Sequence, residues 1–137
     1  MKKIKLIAGV ALVAVLAVIT MSFISAQQKP KAWDVPANYK SMKNPVKGNA
    51  SATSAGKALW AQHCQSCHGK AGLGDGPKAR NLEAHPGDFT SADFAAQSDG
   101  DLFFKTKMGR GEMPKYDKKI ADEDIWGLVN YIRTLKK

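Results

Sequence analysis

The residues of this chain best suited to chemistry are two cysteines and a histidine near its middle. Cys64 and Cys67 are three positions apart, and His68 follows the second cysteine directly. This spacing lets two thiols reach the edge of one porphyrin while the imidazole reaches its iron, so Cys-x-x-Cys-His predicts covalent attachment of a c-type haem. In such a site the iron performs the redox chemistry, and the protein sets its potential through ligands and burial.

Two other kinds of site use cysteines at this spacing. A redox dithiol needs an activated thiolate and usually opens a helix after a strand, whereas the residues before Cys64 look helical. A zinc site built on His63 would need a second pair of ligands a dozen or more residues away. The chain has only two cysteines, and His85 is the only histidine outside the cluster. Haem attachment is therefore the favoured interpretation, and a redox dithiol and a zinc site are the alternatives.

The iron needs a ligand on its opposite face, and Met113 is the first candidate. It lies in a Gly-Arg-Gly-Glu-Met-Pro run, which predicts a loop able to present a thioether to a flat cofactor. Met108 is better explained as an apolar residue that ends a short helix, and His85 beside Pro86 is the rival ligand. Methionine–histidine coordination raises the potential and leaves no open position for oxygen or peroxide, so it predicts outer-sphere electron transfer.

The N-terminus has the composition of an export segment. Residues 1–5 contain three lysines, residues 6–24 are almost entirely apolar, and small residues follow at Ser25 and Ala26. The apolar stretch is close to the roughly 20 residues needed to span a bilayer, so a cleaved signal peptide and a retained anchor both stay open. Either one predicts that the rest of the chain lies in the periplasm or on the outer face of the cytoplasmic membrane.

The net charge indicates the kind of partner. The chain carries +9, and removal of residues 1–26, which hold three lysines and no acid, leaves +6. A basic exported chain predicts a redox protein with an acidic docking surface, although an ordinary solvated basic face is an equally open explanation. The basic residues near Met113 are Lys105, Lys107, Arg110, Lys115, Lys118 and Lys119. Neither a nucleic acid nor a small-molecule substrate is predicted as a partner.

The chain divides into three predicted parts. Residues 1–26 form the signal peptide or membrane anchor, residues 27–53 a proline-containing tether, and residues 54–137 the folded domain. Trp33 and Tyr39 make the tether too aromatic for a pure linker, so we expect it to lie on the domain or on a partner.

The apolar periodicity of residues 54–137 predicts an all-α fold. One helix starts at a cap formed by Thr53 or Ser54 and runs to the cysteines, and a shorter one starts at Ser98. A third, capped by Asp122, has an amphipathic stripe of Ile125, Leu128, Val129, Ile132 and Leu135. Gly56 would permit the first and last helices to cross closely. No strand pattern and no internal repeat is visible, so three to four helices around one haem are expected.

Residues 54–137 resemble a class I monohaem cytochrome c of the small bacterial kind. The resemblance rests on residues 56–69 around the haem motif, on the Gly-Asp-Gly-Pro segment with Asn-Leu at 74–82, on Met113-Pro114 and on residues 124–133. It implies the cytochrome c fold, in which Gly56 and Trp60 would meet Leu128 and Tyr131 at a helix crossing.

The same resemblance implies a role for each site residue. Cys64 and Cys67 would form the two thioethers to one covalent haem c, and His68 and Met113 would be the axial ligands of its iron. The backbone carbonyl of Pro77 would accept a hydrogen bond from the other nitrogen of the His68 ring, which orients the ring and raises its basicity.

These observations predict a one-electron carrier, not an enzyme, that passes electrons between respiratory-chain components outside the cytoplasmic membrane. One alternative is a peroxidase-like haem enzyme or sensor with an open iron face. Others are an electron-transfer subunit of a larger oxidase or dehydrogenase complex and a secreted thiol oxidoreductase.

Overall fold

A computed structural model describes residues 32–135 of the protein. The predicted export or anchor segment at 1–26 lies outside the described residues. Between residues 32 and 135, no helix is long and apolar enough to cross a membrane. This part of the chain is mostly helical and contains no strand, only an isolated bridge between Arg110 and Met113. The predicted all-α class is therefore confirmed for the described residues.

The helices within this range follow the predicted order. They are α1 (Ala37–Lys40), α2 (Ala50–Leu59), α3 (Gln65–His68), α4 (Ala92–Ala95), α5 (Asp99–Met108) and α6 (Asp122–Arg133). A π-helical turn at Trp60–Cys64 joins α2 to α3, and a 3-10 turn covers Ala79–Asn81. The three longest, α2, α5 and α6, correspond to the three helices predicted from the sequence.

Two of the three predicted helix caps are wrong, because a different residue occupies the cap position. Helix α2 begins four residues before Ser54, since the Asn49 side chain accepts a hydrogen bond from the amide of Ala52. Helix α6 has Ala121 at its cap position without a side-chain bond, and Asp122 is its first residue. The capping box of α5 is confirmed, since Ser98 and Asp101 each bond the other's backbone amide.

Helices α2 and α6 cross in backbone contact. A Cβ atom at Gly56 would lie 2.1 Å from the carbonyl oxygen of Gly127, and one at Gly127 would lie 2.6 Å from the carbonyl oxygen of Ala52. Two glycines therefore bring the helix axes together, as the sequence predicted for Gly56. The Trp60 and Tyr131 rings meet beside this crossing with centroids 5.9 Å apart.

The core lies between this crossing and α5. Its buried side chains are Trp60, Leu102, Phe103, Tyr116, Ile120, Ile125, Trp126, Leu128, Val129 and Ile132. The predicted stripe of α6 is buried as expected, with Leu135 partly buried at its end. Phe103 of α5 stacks on Trp126 of α6 with centroids 4.2 Å apart, so α5 is bound to the α2–α6 pair through aromatic contacts.

Residues 32–49, which the sequence assigned to the tether, pack on these helices. Val35 is buried, and the Tyr39 ring lies 4.9 Å from that of Phe104. A Cβ at Gly100 would lie 1.9 Å from the Tyr39 carbonyl oxygen, so this glycine lets the segment cross α5 closely. The expectation that the aromatic part of the segment lies on the domain agrees with this packing. We call residues 32–49 the N-terminal strap.

Two buried asparagines fasten the strap to α6. The Asn44 side chain donates to the Asn130 side-chain oxygen at 2.9 Å and to the Trp126 carbonyl at 3.4 Å. The Asn130 side chain in turn donates to the Val46 carbonyl at 2.7 Å. Because both asparagine side chains are buried, these hydrogen bonds replace contacts with solvent that the side chains lose on folding.

Replacing Asn44 with alanine is expected to lower the free energy of unfolding by about 1–3 kcal/mol. The change leaves the buried side-chain oxygen of Asn130 without its donor. Guanidinium denaturation of the purified protein measures the loss. Asn38→Ala, at an exposed position of α1, is the control and should change stability little. Equal stability of the two variants would contradict a role for the asparagine pair.

Candidate functional site

The Cys-x-x-Cys-His motif lies at the end of a continuous helical segment. Helix α2 widens into the π-helical turn at Trp60–Cys64 and then into α3, which ends at Gly69 with φ +81°. Cys64 and Cys67 are half-buried free thiols within this segment. The motif thus follows a helix, as predicted, and does not open one after a strand. π-Helical turns are rare and occur frequently at functional sites.

The environment of the cysteines disfavours the two rival interpretations. Burial, reinforced by the neighbouring Cys67, raises the pKa of Cys64 to about 12. A redox-active dithiol requires the opposite shift, because its thiolate is the nucleophile. Within the described residues, no three histidine, cysteine or acidic side chains are arranged to hold a metal ion. The zinc interpretation therefore lacks its ligand set.

Aromatic rings surround His68. The centroid of its ring lies 4.7 Å from that of Phe89 and 5.8 Å from that of Trp60. Trp60 donates from its indole nitrogen to the carbonyl of Gly69 at 3.1 Å, which fixes the ring beside the motif. Burial lowers the pKa of His68, and hence favours the neutral imidazole. Its Nδ1 atom is buried, and no atom of the described chain lies in good hydrogen-bonding geometry to it.

These properties fit a haem iron ligand. A metal requires a neutral imidazole, and a buried nitrogen without a partner is costly unless another group satisfies it. Two half-buried, protonated thiols next to such an imidazole fit thioether attachment to the same porphyrin, and the aromatic surroundings fit its apolar ring system. The residues present therefore match the predicted cofactor.

The role of Pro77 beside His68 stays a prediction. Its carbonyl accepts a hydrogen bond from Nε of Arg80 at 3.4 Å, and the backbone of Pro86 is close enough to the His68 ring to raise its pKa. The loop around Pro77 binds the backbone of the motif, since the amide of Lys78 donates to the carbonyl of Ser66 at 2.8 Å. The Gly-Pro segment that resembled the family therefore supports the motif from its backbone side.

His85 lies next to Pro86 and is exposed. Its Nδ1 atom accepts a hydrogen bond from the amide of Gly87 at 3.1 Å, and its ring packs against Gly74. From the sequence, His85 is predicted only as a rival iron ligand, and no role is predicted for Pro86. The proline was the more informative of the two residues, but only the fold shows that its carbonyl approaches His68.

Met113 lies in a tight turn between two elements of the fold. The amide of Arg110 donates to the Met113 carbonyl at 2.9 Å, and the amide of Met113 donates back to the Arg110 carbonyl at 3.0 Å. Gly109 and Gly111 have φ +58° and +57°. A Cβ at Gly109 would lie 2.5 Å from the Met113 carbonyl oxygen, so glycine is required there for the chain to fold back. We call residues 109–114 the methionine loop.

The methionine loop and the residues after it contact the haem motif and its following loop. The hydroxyl of Tyr116 donates to the carbonyl of His63, the residue before Cys64, at 3.1 Å. The carboxylate of Glu112 accepts a hydrogen bond from the amide of Glu83 at 2.8 Å. The structure thus brings the loop of the predicted second ligand to the motif of the first. Met113 as an iron ligand stays a prediction.

The basic residues near Met113 differ in their surroundings. Lys107 forms a salt bridge with Asp122 at 2.7 Å, and Lys105 is partly buried and donates to the Gln97 side chain. Burial lowers the pKa of Lys105. The four exposed cations of the set are Arg110, Lys115, Lys118 and Lys119. Among them, the guanidinium of Arg110 contacts Trp33 and Ala32, and the three lysines are the exposed part of the predicted basic surface that forms no such contact.

Comparison with known proteins identified relatives of this chain. Residues 51–132, more than half of the sequence, match the family described as cytochrome c oxidase, cbb3-type, subunit III. A search of curated proteins found no match.

Two solved structures are similar to the chain. One is from the Kuenenia stuttgartiensis reducing HAO-like protein complex Kustc0457/Kustc0458, with 28% identity and a TM-score of 0.63 over 70% of this chain. The chain spans only 50% of the length of that protein. The other is the KustC0563 c-type cytochrome, with 31% identity and a TM-score of 0.53, where the match covers 60% of this chain and 98% of the other.

Proposed function

Because the chain belongs to the family of cytochrome c oxidase cbb3-type subunit III, and is a small monohaem class I c-type cytochrome, we propose that it is a one-electron carrier. Members of this class hold haem c covalently, so the chain's cofactor is one haem c with its iron. When bound, the haem supplies an iron that changes oxidation state by one electron. The observation that carries the proposal is the placement of Cys64, Cys67 and His68 on one helical segment among aromatic rings.

In this proposal Cys64 and Cys67 anchor the haem and His68 binds its iron. The aromatic rings of Trp60 and Phe89 keep water from the imidazole, which supports a stable neutral ligand. Pro86 is a second candidate for the positioning role that the family resemblance implies for Pro77, because its backbone lies close enough to the His68 ring to raise its pKa. A hydrogen bond to the Pro86 carbonyl would fix the ring orientation and raise its basicity.

Met113 completes the proposed iron coordination. Glu112 of its loop accepts a hydrogen bond from Glu83, and Tyr116, two residues after the loop, donates one to His63 beside the motif. These contacts support Met113 as the residue that would hold the iron together with His68. A thioether ligand stabilises the reduced iron and closes the position that oxygen or peroxide would need. The expected result is electron transfer without bond chemistry on a substrate.

The proposed setting is the far side of the cytoplasmic membrane. The lysines and apolar run of residues 1–26 support export, with either cleavage or retention as an anchor. There the carrier would pass electrons between respiratory-chain components. Four exposed cations support an acidic docking surface on the redox partner: Arg110, Lys115, Lys118 and Lys119.

A second candidate function is that of an electron-transfer subunit in a larger complex. The matched family is described as an oxidase subunit, and one similar solved protein comes from an HAO-like complex and is twice as long as the matched span. Purification of the holoprotein from its native membrane and soluble fractions, followed by its native mass, separates the two. A stable co-purifying redox complex would favour the subunit role, and a free monomer the carrier role.

Cys64→Ser is expected to leave at most one thioether and to lower the yield of covalent haem. Because only Cys67 would remain to react, one vinyl group of the porphyrin stays intact and changes the pyridine haemochrome spectrum. Ser66→Ala, between the cysteines, is the matched control and should keep both thioethers. A Cys64→Ser protein with the wild-type haemochrome spectrum and yield would overturn the proposed attachment.

A further inference from the structure

Trp33 of the N-terminal strap contacts the methionine loop. The guanidinium carbon of Arg110 lies 4.3 Å from the centroid of the Trp33 ring, a distance typical of a stacked cation–π pair. The same guanidinium donates through Nη1 to the carbonyl of Ala32 at 3.1 Å. One side chain therefore joins two neighbouring strap residues to a turn 78 positions away in sequence.

Arg110 is also the residue most directly linked to Met113. Their two reciprocal backbone hydrogen bonds, at 2.9 and 3.0 Å, make them opposite corners of the same turn. Any displacement of the Arg110 backbone must break these bonds or carry Met113 with it. A contact that holds Arg110 thus acts on the position of Met113.

The methionine loop needs such support because its own backbone is permissive. Gly109 and Gly111 flank Arg110, and three consecutive residues, 110–112, are exposed. Loops with few buried contacts open at low free-energy cost. The side-chain hydrogen bonds that cross from this loop to other segments are those of Glu112 to Glu83 on one side and Arg110 to Ala32 on the other, among the described residues.

The strap can act as a fixed support because it is itself anchored. Val35, two residues after Trp33, is buried, and Asn44 is hydrogen-bonded to α6. Lys105 of α5 also approaches the Trp33 ring, with its Nζ atom 5.8 Å from the centroid. The ring therefore lies near two cations that repel each other, and its electron-rich face is favourable to both.

We propose that Trp33 and Arg110 form a clamp that holds the methionine loop closed, so that they are positioning residues for the iron's second ligand. The inference rests on the proposed ligation by Met113. In this arrangement the strap determines how often the methionine leaves the iron and admits an external ligand. Trp33 lies outside residues 51–132, which match the family.

The test compares full-length holoproteins carrying Trp33→Ala, Trp33→Phe and the control Lys43→Ala, which removes an exposed cation of the strap itself. Cyanide binds ferric iron only after the methionine has left, so its binding rate reports loop opening. We expect Trp33→Ala to bind cyanide about fivefold faster than wild type, given the ordinary strength of a cation–π pair. Trp33→Phe should show a smaller increase, and Lys43→Ala none.

Two further readouts separate positioning from a general loss of stability. Hydrogen exchange at the amides of Arg110 and Met113 should accelerate in Trp33→Ala, while the amides of α6 keep their protection. Arg110→Ala should raise the cyanide rate at least as much, because it removes both the Trp33 contact and the hydrogen bond to Ala32. The double variant should add little to Arg110→Ala, since the Trp33 contact is already lost in it. Wild-type cyanide rates and wild-type exchange of both turn amides in Trp33→Ala would overturn the clamp.

The far-red charge-transfer band of methionine-bound ferric iron distinguishes the clamp from the proposed ligation. If the wild type shows this band and Met113→Ala lacks it, the ligation holds and the cyanide and exchange results decide the clamp. If the wild type lacks the band, the ligation fails, and exchange at Arg110 and Met113 alone decides whether Trp33 holds the loop. Unchanged exchange in that case also overturns the clamp.

Discussion

Met113→Ala is expected to lower the reduction potential of the haem by on the order of 100 mV and to open the iron to external ligands. The neutral thioether favours ferrous iron, and its replacement by water removes that preference, within the range of about 0.8 V that axial ligands span. Spectroelectrochemical titration measures the potential, and carbon monoxide binding to the reduced protein measures access.

Met108→Ala is the matched control for this prediction. Met108 is the last residue of α5 and is partly buried, so its loss should cost about 1–2 kcal/mol of stability and leave the potential close to that of wild type. If Met108→Ala instead opens the iron and Met113→Ala does not, the ligand assignment is wrong. Rapid ligand binding by the wild-type protein would favour the open-faced enzyme or sensor.

Gly56→Ala is expected to destabilise the protein by roughly 3 kcal/mol or more, a large part of the ~5–15 kcal/mol that holds a domain together. The new Cβ would lie 2.1 Å from the Gly127 carbonyl oxygen and 2.7 Å from the Leu128 amide nitrogen. These atoms are backbone, so α2 and α6 would have to separate. The better helix propensity of alanine, about 1 kcal/mol, is too small to offset this.

Guanidinium denaturation of the holoprotein tests the prediction at the helix crossing. Ser54→Ala, at an exposed position of the same helix, should be nearly neutral. Gly127→Ala should also destabilise, but less than Gly56→Ala, because its new atom would lie 2.6 Å from the Ala52 carbonyl oxygen. A Gly56→Ala protein as stable as wild type would show that the helices can separate without loss.

Features that depend on neighbouring residues were predicted from the sequence, whereas features that depend on packing between distant segments were not. The apolar stripe of α6 and the Ser98–Asp101 capping box were predicted correctly, because each depends on residues within one or two helical turns. The start of α2 was predicted too late, since Asn49, Thr53 and Ser54 are all competent caps. Only the packing of α2 on α6 makes the longer helix favourable.

Pro77 and Pro86, the two prolines near His68, show the same difference between local and long-range features. Pro77 follows the family pattern in sequence and its carbonyl contacts Arg80, and the backbone of Pro86 lies close to the imidazole. Both prolines are within twenty residues of the histidine, so distance along the chain does not distinguish them. Which carbonyl approaches the ring depends on how the chain between residues 69 and 89 folds over the motif.

The sequence alone predicted the haem c cofactor, because the Cys-x-x-Cys-His motif at residues 64–68 depends only on local spacing within one helical segment. It also determined the all-α class, through the period of its apolar residues. The tertiary structure decided what lies around that motif: the backbone of Pro86 near the ring, the strap fastened by Asn44, and Trp33 against Arg110. These contacts join residues far apart in the chain, and no local sequence pattern indicates which distant surfaces will meet when the helices pack.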